Sequence, residues 1–156
     1  MSKDHIIEKL KKGSLWIGIV CVLASLFNVV IIAAVFLWKG VGFNITDNYG
    51  RFAYLQSLIS YCISTVIMAI AALMFFRIAQ NGIPFTAKNA RFVRIIGAVF
   101  LLDAAVMTGA AFVLCGTVMP CIVDASRTLV VGLLFLFIAH TIRYGAMLQQ
   151  ESDETL

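Results

Sequence analysis

This chain contains little charge. Only 13% of its 156 residues are Asp, Glu, Lys or Arg, whereas 62% are hydrophobic. A soluble globular domain typically has about 25% charged residues and about 45–50% apolar ones. The composition therefore excludes a disordered protein, a nucleic-acid-binding domain with a basic surface, and an ordinary cytosolic enzyme. The excess of apolar side chains favours a protein whose solvent is the lipid bilayer.

The sequence also lacks the motifs by which common enzymes are identified. It has no phosphate-binding glycine-rich loop, no Rossmann fingerprint, no His-Glu-x-x-His motif, and no nucleophile with a base in register. The closely spaced cysteines, Cys115 and Cys121, are accompanied by neither a histidine nor a second cysteine pair, which a zinc site would need. We therefore predict a protein that is not an enzyme and that holds no cofactor or metal.

Four apolar stretches are long enough to cross a bilayer as helices, which takes about 20 residues each. The first two contain no charged residue, the third contains Asp103, and the fourth has Asp124 and Arg127 near its start. We predict an all-α fold, a four-transmembrane-helix bundle in which residues 1–156 form a single integral membrane domain. The predicted helices cover about 15–38, 52–76, 95–115 and 121–142.

Basic residues are distributed unequally between the two ends of these helices. Nine lie at the N-terminus, in the middle loop or after the fourth helix, against three in the other two loops. Because Lys and Arg are enriched on the cytoplasmic side of membrane proteins, we place both termini and the middle loop in the cytoplasm. The net charge of +4 follows largely from this bias. It therefore indicates contact with membrane lipid and no direct nucleic-acid partner.

Asp103 is the most informative polar residue in the predicted spans. It lies about 12 Å along the helix from Ile95, and Ile95 is the residue that we place at the cytoplasmic edge of the bilayer. An Asp near the centre of a transmembrane helix costs about 2.5–3.5 kcal/mol, so the carboxyl should face the bundle interior. Two interpretations are open: a carboxyl that fixes helix packing, or a site for a proton or cation. Its expected partners at similar depth are Ser25, Asn28, Ser64 and Thr65.

The predicted spans also contain small residues and cysteines. Ala105 and Gly109 recur at helical spacing and are predicted to allow close helix approach. Cys21 and Cys62 lie in apolar stretches and act as small hydrophobic residues. Another pair flanks the short third loop on the oxidising side, where a disulfide and two free thiols are both open alternatives. This pair is Cys115 and Cys121.

The middle loop combines a turn with a helix start. Asn81-Gly82 ends the second helix, and Pro84 prevents its continuation. Thr86 is placed to cap the next helix. Arg91 and Arg94 are three residues apart and therefore share a helical face near the lipid head groups. They serve either as positive-inside anchors or as a docking surface for an acidic partner or anionic lipid.

Two segments predicted to be cytoplasmic carry longer patterns. The middle loop reads Pro84-Phe85-Thr86-x-x-Asn89-x-Arg91-x-x-Arg94-x-x-Gly97. The C-terminal segment reads Ile142-Arg143-Tyr144-Gly145-Ala146-x-Leu148-Gln149-x-Glu151-x-Asp153-x-Thr155-Leu156. Both patterns resemble signatures of the domain-of-unknown-function 2975 family of bacterial membrane proteins. His140 departs from the family pattern, in which an acidic residue is usual.

The resemblance implies a four-span protein of the bacterial cytoplasmic (inner) membrane with both ends inside. Because members are often encoded beside a small helix-turn-helix regulator, it also implies a regulatory protein that binds a cytoplasmic transcription factor. The alternatives are a small carrier, an antimicrobial-resistance or immunity protein with a polar site at Asp103, and a structural subunit of a homo-oligomer. The residues expected to contact the partner are Pro84, Phe85, Asn89, Arg91, Arg94, Arg143, Glu151 and Asp153.

Overall fold

The computed structural model describes residues 3–37 and 47–154, and this part of the chain is helical apart from its connections. All four long helices are apolar enough to cross a membrane. The predicted all-α class with four long apolar helices is therefore confirmed, and the arrangement is consistent with a four-helix bundle. The helices are α1 (Lys3–Leu37), α2 (Asn48–Asn81), α3 (Ala87–Cys115) and α4 (Ile122–Glu154), with a 3-10 turn at Met119–Cys121 before α4.

The helices are longer than the predicted spans. α1 begins at Lys3 instead of residue 15, and α4 continues to Glu154 instead of ending at residue 142. Neither extension contains a proline. An existing helix gains one backbone hydrogen bond per added residue, so it propagates beyond its apolar part. The extension of α4 beyond residue 142 is about 18 Å long.

Defined caps begin and end the inner helices. Gly82 ends α2 with a left-handed φ of 70°, and its N–H donates to Ile78 O at 2.7 Å. Thr86 then begins α3, because its Oγ1 accepts the N–H of Asn89 at 3.1 Å. Both features confirm the predicted turn and cap. The middle loop is therefore short and fixed at both ends.

The helices pack mainly against their neighbours in the sequence. α1 packs on α2, α2 on α3, and α3 on α4. Within the described residues, α1 makes no contact of similar extent with α3 or α4. The fold is therefore two helical hairpins joined by the α2–α3 contact.

The start of α1, the middle loop and the end of α4 lie at the same end of the molecule. A methyl group added to Gly82 would lie 3.0 Å from Ile7 Cγ2, and one added to Gly145 would lie 3.3 Å from Phe85 Cδ1. We call this the terminal end. The opposite end contains a buried cluster in which Phe52 of α2 packs with Ala111 and Cys121.

α3 and α4 approach each other closely at two glycines. A methyl group at Gly97 would lie 2.9 Å from Gly132 O, and one at Gly132 would lie 2.9 Å from Leu101 Cδ2. Small residues of this kind let helix backbones approach closely. At Gly109, where close packing was predicted, a methyl group would meet nothing within 4 Å. That prediction was wrong, because Gly109 lies on a face of α3 that is not covered by another helix in the described residues.

Candidate functional site

The polar residues predicted to surround Asp103 instead connect α1 to α2. Asn28 Nδ2 donates to Ser64 Oγ at 2.9 Å, and Ser25 Oγ donates to Thr65 O at 3.4 Å. Asp103 takes part in neither bond. The expected cluster is therefore corrected, because Ser64 lies on the face of α2 that packs against α1, and α1 makes no extensive contact with α3 among the described residues.

Asp103 lies instead in a cleft formed by α2, α3 and α4, which we call the Asp103 cleft. The residue is 7% exposed, and its Oδ1 has no hydrogen-bond partner among the described residues. The cleft has a volume of about 340 Å³. It is lined by Gln56, Ser60, Asp103, Met107, Asp124, Ala125, Arg127 and Thr128.

The charged residues of the Asp103 cleft are only partly paired. Asp124 accepts a hydrogen bond from Gln56 Nε2 at 2.9 Å, and Arg127 Nη1 lies 3.9 Å from Asp124 Oδ1. The Arg127 side chain is 77% exposed, so this ion pair contributes at most about 1 kcal/mol. The cleft contains two carboxyl groups, those of Asp103 and Asp124, and one guanidinium, that of Arg127. A cation would therefore be attracted to it.

Sequence reasoning missed Gln56 and Ser60 as members of this cleft. Both lie in the uncharged second span. The sequence alone does not indicate which neighbouring helix a polar side chain in this span faces. Only the packing of α2 on α3 brings them to Asp103. Asp124 and Arg127 could be identified as charged residues at the start of the fourth helix, but not as neighbours of Asp103.

The structure buries one of the residues predicted to contact a partner. Asn89 is 3% exposed, and its Nδ2 donates to Pro84 O at 2.9 Å and to Ile83 O at 3.4 Å. The residue therefore fixes the middle loop and is not available at the surface. The prediction that Asn89 contacts a partner is therefore corrected, because its side-chain amide is buried and donates to the middle loop of the same chain.

Asn89→Ala is expected to destabilise the protein by about 1–3 kcal/mol, because the carbonyls of Ile83 and Pro84 lose their donor. Denaturation of the purified protein in detergent would measure the change in the free energy of unfolding. Lys88→Ala is the matched control, since Lys88 is an exposed neighbour and should change this free energy by no more than about 0.5 kcal/mol. Equal effects of the two substitutions would contradict a structural role for Asn89.

Other residues predicted to contact a partner are exposed at the terminal end. Phe85 packs beside Gly145 and thereby connects the middle loop to α4. Pro84 is half-buried, and Asp153 lies in α4 with its side chain outside the described part. The exposed residues define what we call the terminal-end surface, which comprises Phe85, Arg91, Arg94, Arg143, Tyr144, Met147, Leu148 and Glu151.

The cysteines flanking the third loop are free thiols in the structure. Cys115 Sγ lies 3.8 Å from Asn48 O, and Cys121 Sγ lies 3.4 Å from Val118 O. Cys121 is buried against Phe52 and Ala111 after the 3-10 turn. The disulfide alternative is therefore not the one observed, because the two sulfur atoms contact different backbone carbonyls.

Comparison with protein-family models, with curated proteins and with solved structures finds no match for this chain. The likeness of the two terminal-end segments to the domain-of-unknown-function 2975 family therefore stays a prediction. The chemistry of the Asp103 cleft and of the terminal-end surface follows from the chain's own residues.

Proposed function

We propose that this chain is a non-enzymatic, multi-pass membrane protein that binds a cytoplasmic protein partner at its terminal-end surface. The observation that carries the proposal is the helical extension of α4. Its apolar residues Tyr144, Met147 and Leu148 are 62%, 53% and 47% exposed, and they lie beyond residue 142, where we predict that the membrane span ends. Residues three and four apart share a helical face. An apolar face outside the lipid is typical of a protein-binding site.

Charged residues accompany this apolar face. Arg91 and Arg94 are exposed at the start of α3, and Arg143 is exposed on α4. Charges around an apolar centre select the partner and speed its association more than they add affinity. An acidic patch on the partner would match these arginines.

The partner that we propose is a helix-turn-helix transcription regulator. The support for this class is the family resemblance of the two segments that meet at the terminal end. The placement of this end in the cytoplasm of a bacterial inner membrane is supported by the nine basic residues predicted on that side, against three on the other. The chain would act by holding the regulator at the membrane, and a homo-oligomer is compatible with this role.

Removal of the two arginines of α3 tests this proposal. The double variant Arg91→Ala, Arg94→Ala should recover about 5- to 30-fold less of a co-expressed helix-turn-helix regulator, because two exposed charge contacts of about 0.5–1 kcal/mol each are lost. The measurement is affinity purification of the full-length tagged protein from detergent-solubilised membranes. Immunoblotting then gives the amount of regulator bound per membrane protein.

Arg127→Ala is the matched control, because it also removes an exposed arginine but lies in the Asp103 cleft, away from the terminal end. It should leave recovery of the regulator unchanged. Equal recovery with the double variant and the wild type, or no recovery with either, would refute the proposed partner.

A further inference from the structure

We propose that the Asp103 cleft binds a small organic cation that carries a primary ammonium group. This site is separate from the terminal-end surface, so it goes beyond the partner-binding function. Its residues come from three helices, α2, α3 and α4. The ligand class follows from four properties of the cleft: an unpartnered carboxylate, a charge imbalance, its size, and its mixed lining.

The carboxylate of Asp103 supplies the first argument. The residue is 7% exposed, yet Oδ1 has no hydrogen-bond partner among the described residues. A buried polar group without a partner is destabilising, and more so when it is charged. Because Asp103 lines the cleft, its carboxyl group is the acidic group that a ligand there meets at its most buried side. A cationic N–H donor would neutralise the charge.

The charge balance indicates a monovalent cation. Arg127 lies beside Asp124 and is largely exposed, so Asp103 is the carboxylate that lacks a counter-ion in the cleft. In the described part of the chain, no group of three or more His, Cys, Asp or Glu residues is placed to hold a metal ion. One available carboxylate with neutral oxygen neighbours suits an ammonium group better than a divalent metal, which prefers several anionic ligands.

The size and lining of the cleft indicate an organic ligand. Its volume of about 340 Å³ is much larger than the roughly 30 Å³ share of one water molecule in the liquid. The hydroxyls of Ser60 and Thr128 and the amide oxygen of Gln56 are further acceptors for the N–H groups of an ammonium ion. Met107 and Ala125 provide an apolar wall for an alkyl chain.

Binding of n-butylammonium to the full-length protein in detergent tests the proposal. Isothermal titration calorimetry at constant ionic strength should show saturable binding to the wild type. Asp103→Asn should weaken this binding at least about 10-fold, because it removes a charge-assisted hydrogen bond. Glu8→Gln is the matched carboxylate-to-amide control at the terminal end, and it should leave the affinity unchanged.

Two further measurements separate a built site from general attraction of cations. Tetramethylammonium has the same charge but no N–H donor, so it should bind at least about 10-fold more weakly than n-butylammonium. Gln56→Leu keeps Asp103 and should still weaken n-butylammonium binding, even if Asp103→Asn does not fold.

Three results would overturn the proposal: no binding to the wild type, equal affinities of the wild type and a folded Asp103→Asn variant, or equal affinities for the two ammonium ions. None of them bears on recovery of the regulator. The ligand site and the partner surface can therefore fail independently.

Discussion

Replacement of Gly97 by Leu is expected to separate α3 from α4 and to lower the free energy of unfolding by about 3 kcal/mol. Even a methyl group at this position would lie 2.9 Å from Gly132 O and 3.1 Å from Leu136 Cδ2. The first of these atoms belongs to the backbone of α4, so it cannot move away by a change of rotamer. The helices must therefore shift apart and lose the close packing between them.

Unfolding of the purified protein by titration with sodium dodecyl sulfate in mixed micelles would measure this loss. Gly97→Ala should give a smaller decrease of about 1–2 kcal/mol, because it adds one methyl group instead of a branched side chain. Gly109→Leu is the matched control on the same helix, since nothing lies within 4 Å of a methyl group there. Equal losses at the two glycines would show that α3 and α4 do not meet as described.

Asp103→Leu is expected to raise the free energy of unfolding by about 2–3 kcal/mol, the size of the cost of an Asp near the centre of a transmembrane helix. The carboxyl is buried and its Oδ1 has no partner among the described residues. Leucine removes the unpartnered oxygen atoms and keeps a side chain of similar size. A site that binds a ligand at the expense of stability should respond in this way.

The same sodium dodecyl sulfate titration, performed without added amine, would measure this gain. Asp124→Leu is the matched control, because Asp124 is exposed and already bonded to Gln56 and close to Arg127. It should leave stability unchanged or lower it by up to about 1 kcal/mol. Destabilisation by Asp103→Leu would instead favour the packing interpretation, in which the carboxyl holds α3 against its neighbours.

Several features of this protein could be predicted from short stretches of sequence. The apolar stretches determine the four helices, because a segment of this hydropathy forms backbone hydrogen bonds within itself wherever it lies in lipid. Gly82, Pro84 and Thr86 determine where α2 ends and α3 begins, since left-handed backbone and side-chain caps depend on adjacent residues. The predicted helices are shorter than the observed ones, because hydropathy detects the strongly apolar part of a helix and not the turns that extend it at either end.

The candidate site could be predicted only in part. Asp103 stands out in the sequence because a carboxylate within an apolar span is costly. Its neighbours do not stand out, since the depth of a residue along a helix is a local quantity, whereas its direction around the helix axis depends on the neighbouring helix. The prediction that Asn28 and Ser64 surround Asp103 is therefore wrong, because they bond to each other between α1 and α2. Gln56, which bonds to Asp124 in the cleft, is not indicated by the sequence.

By itself, the sequence determined the all-α class, the four apolar helices, the unequal distribution of basic residues and the middle-loop turn. Each depends on composition or on residues close together in the chain. Only the tertiary structure decided that Asp103 faces α2 and α4, that Asn89 is buried, and that α3 and α4 meet at Gly97 and Gly132. These features depend on helix rotation and pairing, which are set by side-chain packing between segments far apart in the sequence.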